Sequence, residues 1–170
     1  MTEWGLALEV PRWAGRFWLR HWAVVVGLSL VASVQRLVVV NWGDRVPGGL
    51  AVASEVVVVA ARLLLVVVVW RLATRGERPS WANCAAFARE HRPSLVWQVV
   101  LLAAAFLVFD VGAEQVVGGL LPESARQTYL AVLLFVKNPT VIAFTFVWLV
   151  GLVRQAAVSR PAPVGSAGRR

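Results

Sequence analysis

Residues 49–71 read Gly-Leu-Ala-Val-Ala-Ser-Glu-Val-Val-Val-Val-Ala-Ala-Arg-Leu-Leu-Leu-Val-Val-Val-Val-Trp-Arg, with Glu55 and Arg62 the only charges before Arg71. The run is too long for a strand and has no polar face for water. About 20 apolar residues rising 1.5 Å each do match the roughly 30 Å of a bilayer's hydrocarbon. Three more stretches qualify, near 22–41, 94–112 and 129–153. The first follows Arg12, Arg16 and Arg20 like a signal peptide, but its apolar run is long and carries Arg36, so it reads as a retained span. The expected fold is therefore an all-α integral membrane protein with four transmembrane helices.

The composition agrees. Of 170 residues 59% are hydrophobic and 15% charged, and the mean hydropathy is +0.70. The net charge of +8 would suggest nucleic acid in a soluble protein, but here it poses a question of topology, and nucleic acid is not expected as a partner. Twelve arginines lie in residues 1–21, 71–93 and 154–170, against Arg45 and Arg126 in the alternate connections. This pattern predicts a multi-pass protein of the plasma membrane with both termini cytoplasmic. Seven of nine tryptophans fall near span ends, where indoles favour the headgroup region. One lysine and one isoleucine, with Arg, Val and Ala in their place, resemble the coding bias of a GC-rich genome such as an actinobacterial one.

Two segments precede spans as amphipathic interfacial helices. Residues 11–21 stack Arg12, Arg16 and Arg20 on one face beside Trp13 and Phe17, and residues 80–92 start at Ser80 as N-cap. An offset of 70 residues superposes Phe17 on Phe87, His21 on His91, and Asp44, Gly48 and Gly49 on Glu114, Gly118 and Gly119. The domain reading is one membrane domain over 1–156, built of two parallel hairpin repeats (about 11–71 and 80–154) whose outer turns carry that acid and glycine pair. A disordered cytoplasmic tail is expected over 157–170.

Charges at membrane depth are costly, so each is a site candidate. Arg36 and Glu55 fall at one level, about 9 Å below the outer boundary. Asp110 and Lys137 lie in the same outer half, and Lys137-Asn138-Pro139-Thr140 places a proline in mid-span, freeing a backbone carbonyl. These four are the expected charge cluster, a substrate-binding site or a packing device. Arg62 lies deeper toward the inner side, with only apolar residues expected at its depth; either it snorkels toward the cytoplasmic headgroups, or it contacts an anion that the protein does not supply, such as a lipid phosphate.

Catalytic signatures are missing: the chain has no HExxH, GxSxG, Walker or GxGxxG motif. The lone Cys84 excludes an intramolecular disulfide, and neither His21 nor His91 has a second ligand at metal spacing. No cofactor, metal or catalytic residue is predicted. The functional expectation is a non-enzymatic binding or transport accessory protein for lipid or a lipid-linked polar group, with membrane lipids, anionic ones above all, as partners. A chain of 18.5 kDa leaves little room for a complete solute path, which favours a homo-oligomer or a larger membrane complex. The alternatives are a scaffold recruiting partners through its basic surface and, behind it, an intramembrane enzyme.

Overall fold

The computed structural model describes residues 2–159, which are helical throughout apart from short connections. Helix α1 spans Glu3–Arg20, α2 Trp22–Trp42, α3 Gly48–Ala73, α4 Trp81–Glu90, α5 Arg92–Leu120 and α6 Glu123–Val158. Four of them, α2, α3, α5 and α6, are long and apolar enough to cross a membrane.

The two later spans outrun their expected ends. Helix α5 continues past residue 112 to Leu120 through a π-helical stretch, Leu107–Val117. Its Gly118-Gly119 pair is therefore helical, and the turn falls at Leu121-Pro122 instead of over 113–120. Proline fixes an extended entry and Glu123 suits a helix's first turn, so α6 begins six residues before the expected 129. Asp44 does lie in the α2–α3 turn, and Gly48 and Gly49 open α3. The acid and glycine pairs aligned by the 70-residue offset thus occupy different local structures. α6 also carries a π turn, Asn138–Ile142, and remains helical to Val158; the tail residues 160–170 lie outside the described residues.

Helix α1 starts well before the expected residue 11 because Thr2 caps it, its Oγ1 accepting from the Gly5 amide at 3.2 Å. Its buried face, Ala7, Val10, Ala14 and Phe17, follows helical spacing and packs on α6 and α5, so much of the stripe meets protein, not only a leaflet. At α4, Ser80 occupies the N-cap position but makes no side-chain cap. Its amide and the Asn83 side chain instead donate to the Ala157 carbonyl, at 3.0 and 3.1 Å. Gly76, at φ +84°, supplies the reversal between α3 and α4.

The joints before α2 and α5 share one geometry. His21 and His91 have backbone angles of −116°, 26° and −114°, 38°. Each amide donates to the carbonyl of the phenylalanine four residues earlier (2.9 and 2.8 Å), and each imidazole packs on that ring at 4.6 and 4.8 Å.

Helix α6 is central, packing first on α2 and then, beyond its proline, on α3, α1 and α4. The apolar core, including Val25, Leu65, Val69, Val147 and Trp148, sits in the half of the bundle nearest the arginine-rich connections. The half nearest the α2–α3 turn is held by polar side chains. Backbones of α2 and α3 run close together along their hairpin, whereas α5 packs on α1 through its Arg92–Phe106 half and comes close to α6 at the turn that joins them.

Candidate functional site

Arg36 lies seven residues before the α2–α3 turn and Glu55 seven residues into α3, so the hairpin brings them to one level. Their charged ends are 3.7 Å apart. Gln35 donates to the Glu55 carboxylate at 2.8 Å and to Ser54 Oγ at 3.3 Å, an addition that the sequence reading missed. Both charged side chains remain 40% and 50% exposed at the bundle's perimeter.

The second pair forms with a third member. Lys137 Nζ donates to Asp110 Oδ1 at 2.5 Å and to Glu114 Oε2 at 2.9 Å, and the lysine side chain is only 5% exposed. Glu114, expected in an outer turn, faces inward because α5 stays helical, and four residues after Asp110 it shares that residue's face. The longer helices also place Asp110 about 15 Å from the end of α5, deeper than the sequence spacing suggested. Tyr129 ties the same helices together, its hydroxyl donating to the Ala113 carbonyl at 2.7 Å.

Pro139 explains the local backbone. Lacking an N–H, it cannot bond the carbonyl of Phe135, and α6 widens into its π turn there. Ser33 of α2 supplies the missing donor at 2.9 Å. Asn138 is 3% exposed; its Nδ2 donates to the Leu134 carbonyl at 2.8 Å, while its Oδ1 faces Arg62 Nη2 at 3.5 Å. The depth of Arg62 is thus not wholly apolar. Its Nε is buried without a protein partner beside a small void lined by Ser29, Leu65 and Asn138.

Away from the ends of the spans, Arg36, Arg62 and Lys137 balance Glu55, Asp110 and Glu114 in formal charge. Locally the formal balance differs: the α2–α3 pair is neutral, the Lys137 group has one carboxylate in excess, and Arg62 has no carboxylate, its near polar neighbour being Asn138, the residue after Lys137.

The Lys137 group closes one end of an apolar cleft between α5 and α6. This hollow, about 470 Å³, is walled by Val99, Leu102, Phe106, Ile142 and Phe146 and reaches Asp110 and Lys137. On the other side of the same helix pair a second hollow of about 350 Å³ lies against Trp18, Phe109, Phe144 and Trp148. Leu102, Ala105, Val141 and Thr145 border both, so a narrow seam separates them. Toward the arginine-rich end the helices are joined by Trp148, whose indole donates to the fully buried Gln98 at 3.1 Å.

No three His, Cys, Asp or Glu side chains gather as a metal site among the described residues. His91 Nδ1 instead lies 3.1 Å from Glu3 Oε1, joining α1 to the α4–α5 joint. Comparisons with family models, with curated proteins and with solved structures found no match to this chain.

Proposed function

We propose that this chain is a non-catalytic plasma-membrane protein that takes a lipid, or a lipid-linked polar group, laterally from the bilayer into the α5–α6 cleft. The observation carrying the proposal is the join between apolar cleft and buried charge: a hollow open at membrane depth ends on Lys137 held by two carboxylates. In hydrocarbon an acyl chain suits such walls, whereas a charged trio there costs several kcal/mol unless its charges are met. The excess negative charge selects the polar end of the ligand. An ammonium-bearing or zwitterionic group offers the second cation that Asp110 and Glu114 lack.

The positive-inside pattern supports cytoplasmic termini, with the charge group in the outer half of the bilayer. The matched histidine joints support descent from a duplicated helix-and-hairpin unit in which the first hairpin packed tightly and the second remained parted. Arg36 and Glu55, at the perimeter of the tight hairpin, serve packing in this reading.

The test is a bilayer carrying lipids with a photoreactive group in the acyl chain. Labelling concentrated at Val99, Phe106 or Phe146 is expected, together with loss of copurifying ethanolamine lipid in a Lys137→Met, Asp110→Asn, Glu114→Gln variant. Uniform labelling around the bundle would sink the proposal.

A further inference from the structure

Away from the cleft, α1 and the end of α6 enclose a hollow of about 380 Å³, bordered by Glu9, Arg12 and Arg16 on one side and Arg154 and Gln155 on the other. We infer that it is a phosphate-recognition site for the headgroup of an anionic lipid, independent of the α5–α6 cleft.

The enclosure is built by close packing. Trp13 lies over Gly151, where a Cβ would sit 2.6 Å from the indole ring, so α1 can approach α6 this closely only over a glycine. The hollow therefore has a floor, formed by Trp13 and Val10, that a helix merely resting on a leaflet would lack.

Its charges are unevenly committed. Arg154 is anchored: Nε donates to the Ala73 carbonyl at 2.8 Å, Nη2 pairs with Glu77, and the guanidinium stands 5.4 Å from the Trp13 ring centre. Glu9 accepts a long bond from Gln155 at 3.4 Å. Arg12 and Arg16, one turn apart, have no acidic partner within 4 Å among the described residues. Arg12 and Arg16 thus bring two uncommitted guanidiniums to a hollow whose bordering acid is Glu9, while Arg154 is already paired with Glu77. Guanidinium forks match phosphate oxygens bidentately, which makes a phosphate the anion of choice.

Position and size favour a lipid as its source. The hollow lies at the arginine-rich end of the spans beside Trp13, a level at which anionic headgroups meet basic side chains. At about 380 Å³ it offers more room than a bare phosphate requires. Glu9 and Gln155 at the border offer acceptors and an amide to hydroxyls of a glycerol or inositol headgroup.

The test uses the full chain in detergent with added phosphatidylglycerol, phosphatidylinositol or phosphatidylcholine, bound lipid being read by native mass spectrometry. Arg12→Gln with Arg16→Gln should weaken retention of the two anionic lipids on the order of thirtyfold and leave phosphatidylcholine unchanged. Arg75→Gln with Arg78→Gln, which removes as much charge elsewhere on the same end, should have little effect. Equal retention by the Arg12/Arg16 variant, or an equal loss in the Arg75/Arg78 variant, overturns the inference. So does preference for a polyglutamate peptide over the lipids, which would make the hollow a protein-docking surface. Millimolar inorganic phosphate separates the sources: retained lipid identifies a headgroup site, and displaced lipid identifies a site for free phosphate.

Discussion

Ser33 donates its hydroxyl proton to the backbone carbonyl of Phe135, on the helix opposite, at 2.9 Å. That acceptor is the one Pro139 leaves open, so α2 completes the hydrogen bonding of α6 where α6 changes packing partners. Ser33→Ala should destabilise the protein by about 1 kcal/mol. In a Pro139→Ala background, where the residue regains its N–H, the same change should cost much less. Thermal unfolding of both single variants and the double variant in detergent measures the coupling, and additive losses would refute it.

Lys137→Met alone leaves Asp110 and Glu114 facing each other without their cation. A loss of about 3–5 kcal/mol is expected, as for removal of one partner from a buried charge group. Adding Asp110→Asn and Glu114→Gln should restore most of the stability while abolishing lipid retention in the cleft. A stable single variant would show that the lysine is dispensable to the fold.

The Arg36–Glu55 pair is half exposed, so exchanging the two residues should preserve folding to within about 1 kcal/mol, whereas Glu55→Gln with Arg36 retained should cost more. Retention of lipid in the α5–α6 cleft should be unaffected by the exchange. A large loss of bound lipid would draw this pair into the ligand site.

Gly151→Ala should push α1 off α6, with a cost of about 1–3 kcal/mol for overpacking, because the new methyl meets the Trp13 ring. Gly27→Ala is the control, since nothing lies within 4 Å of the position its Cβ would take. Limited proteolysis of α1 reads the difference. Equal resistance in the two variants would contradict the close packing.

The spans were legible because hydrocarbon thickness leaves few alternatives for runs such as 49–71. Arg36 and Glu55 were legible for a similar reason: a short turn makes distance along the chain equal to depth. Glu114 was misplaced because Gly118-Gly119 reads as a turn, and local preference cannot reveal that α5 continues through a π-helical stretch. Asn138 went unassigned as the neighbour of Arg62, since helix-to-helix rotation is not written in hydropathy. The apolar stripe of α1 was visible, but an amphipathic pattern does not distinguish lipid from the flank of α6. The hollow beside it depends on Gly151, 138 residues from Trp13, a separation that no local pattern spans.

The π-helical stretch of α5 makes helical phase a variable. A π turn accommodates an extra residue, so tightening the stretch into an ordinary helix shifts the hydrogen-bond register and rotates one flank against the other. Asp110 and Glu114 sit inside that stretch, while Gln98, bonded to Trp148 of α6, lies on the flank nearest the arginines. The two grips of α5 on α6 are therefore out of step unless the extra residue is kept: the Trp148–Gln98 bond and the Lys137 bonds are satisfied together in one phase of the helix, and a slip of one register would release one set while holding the other.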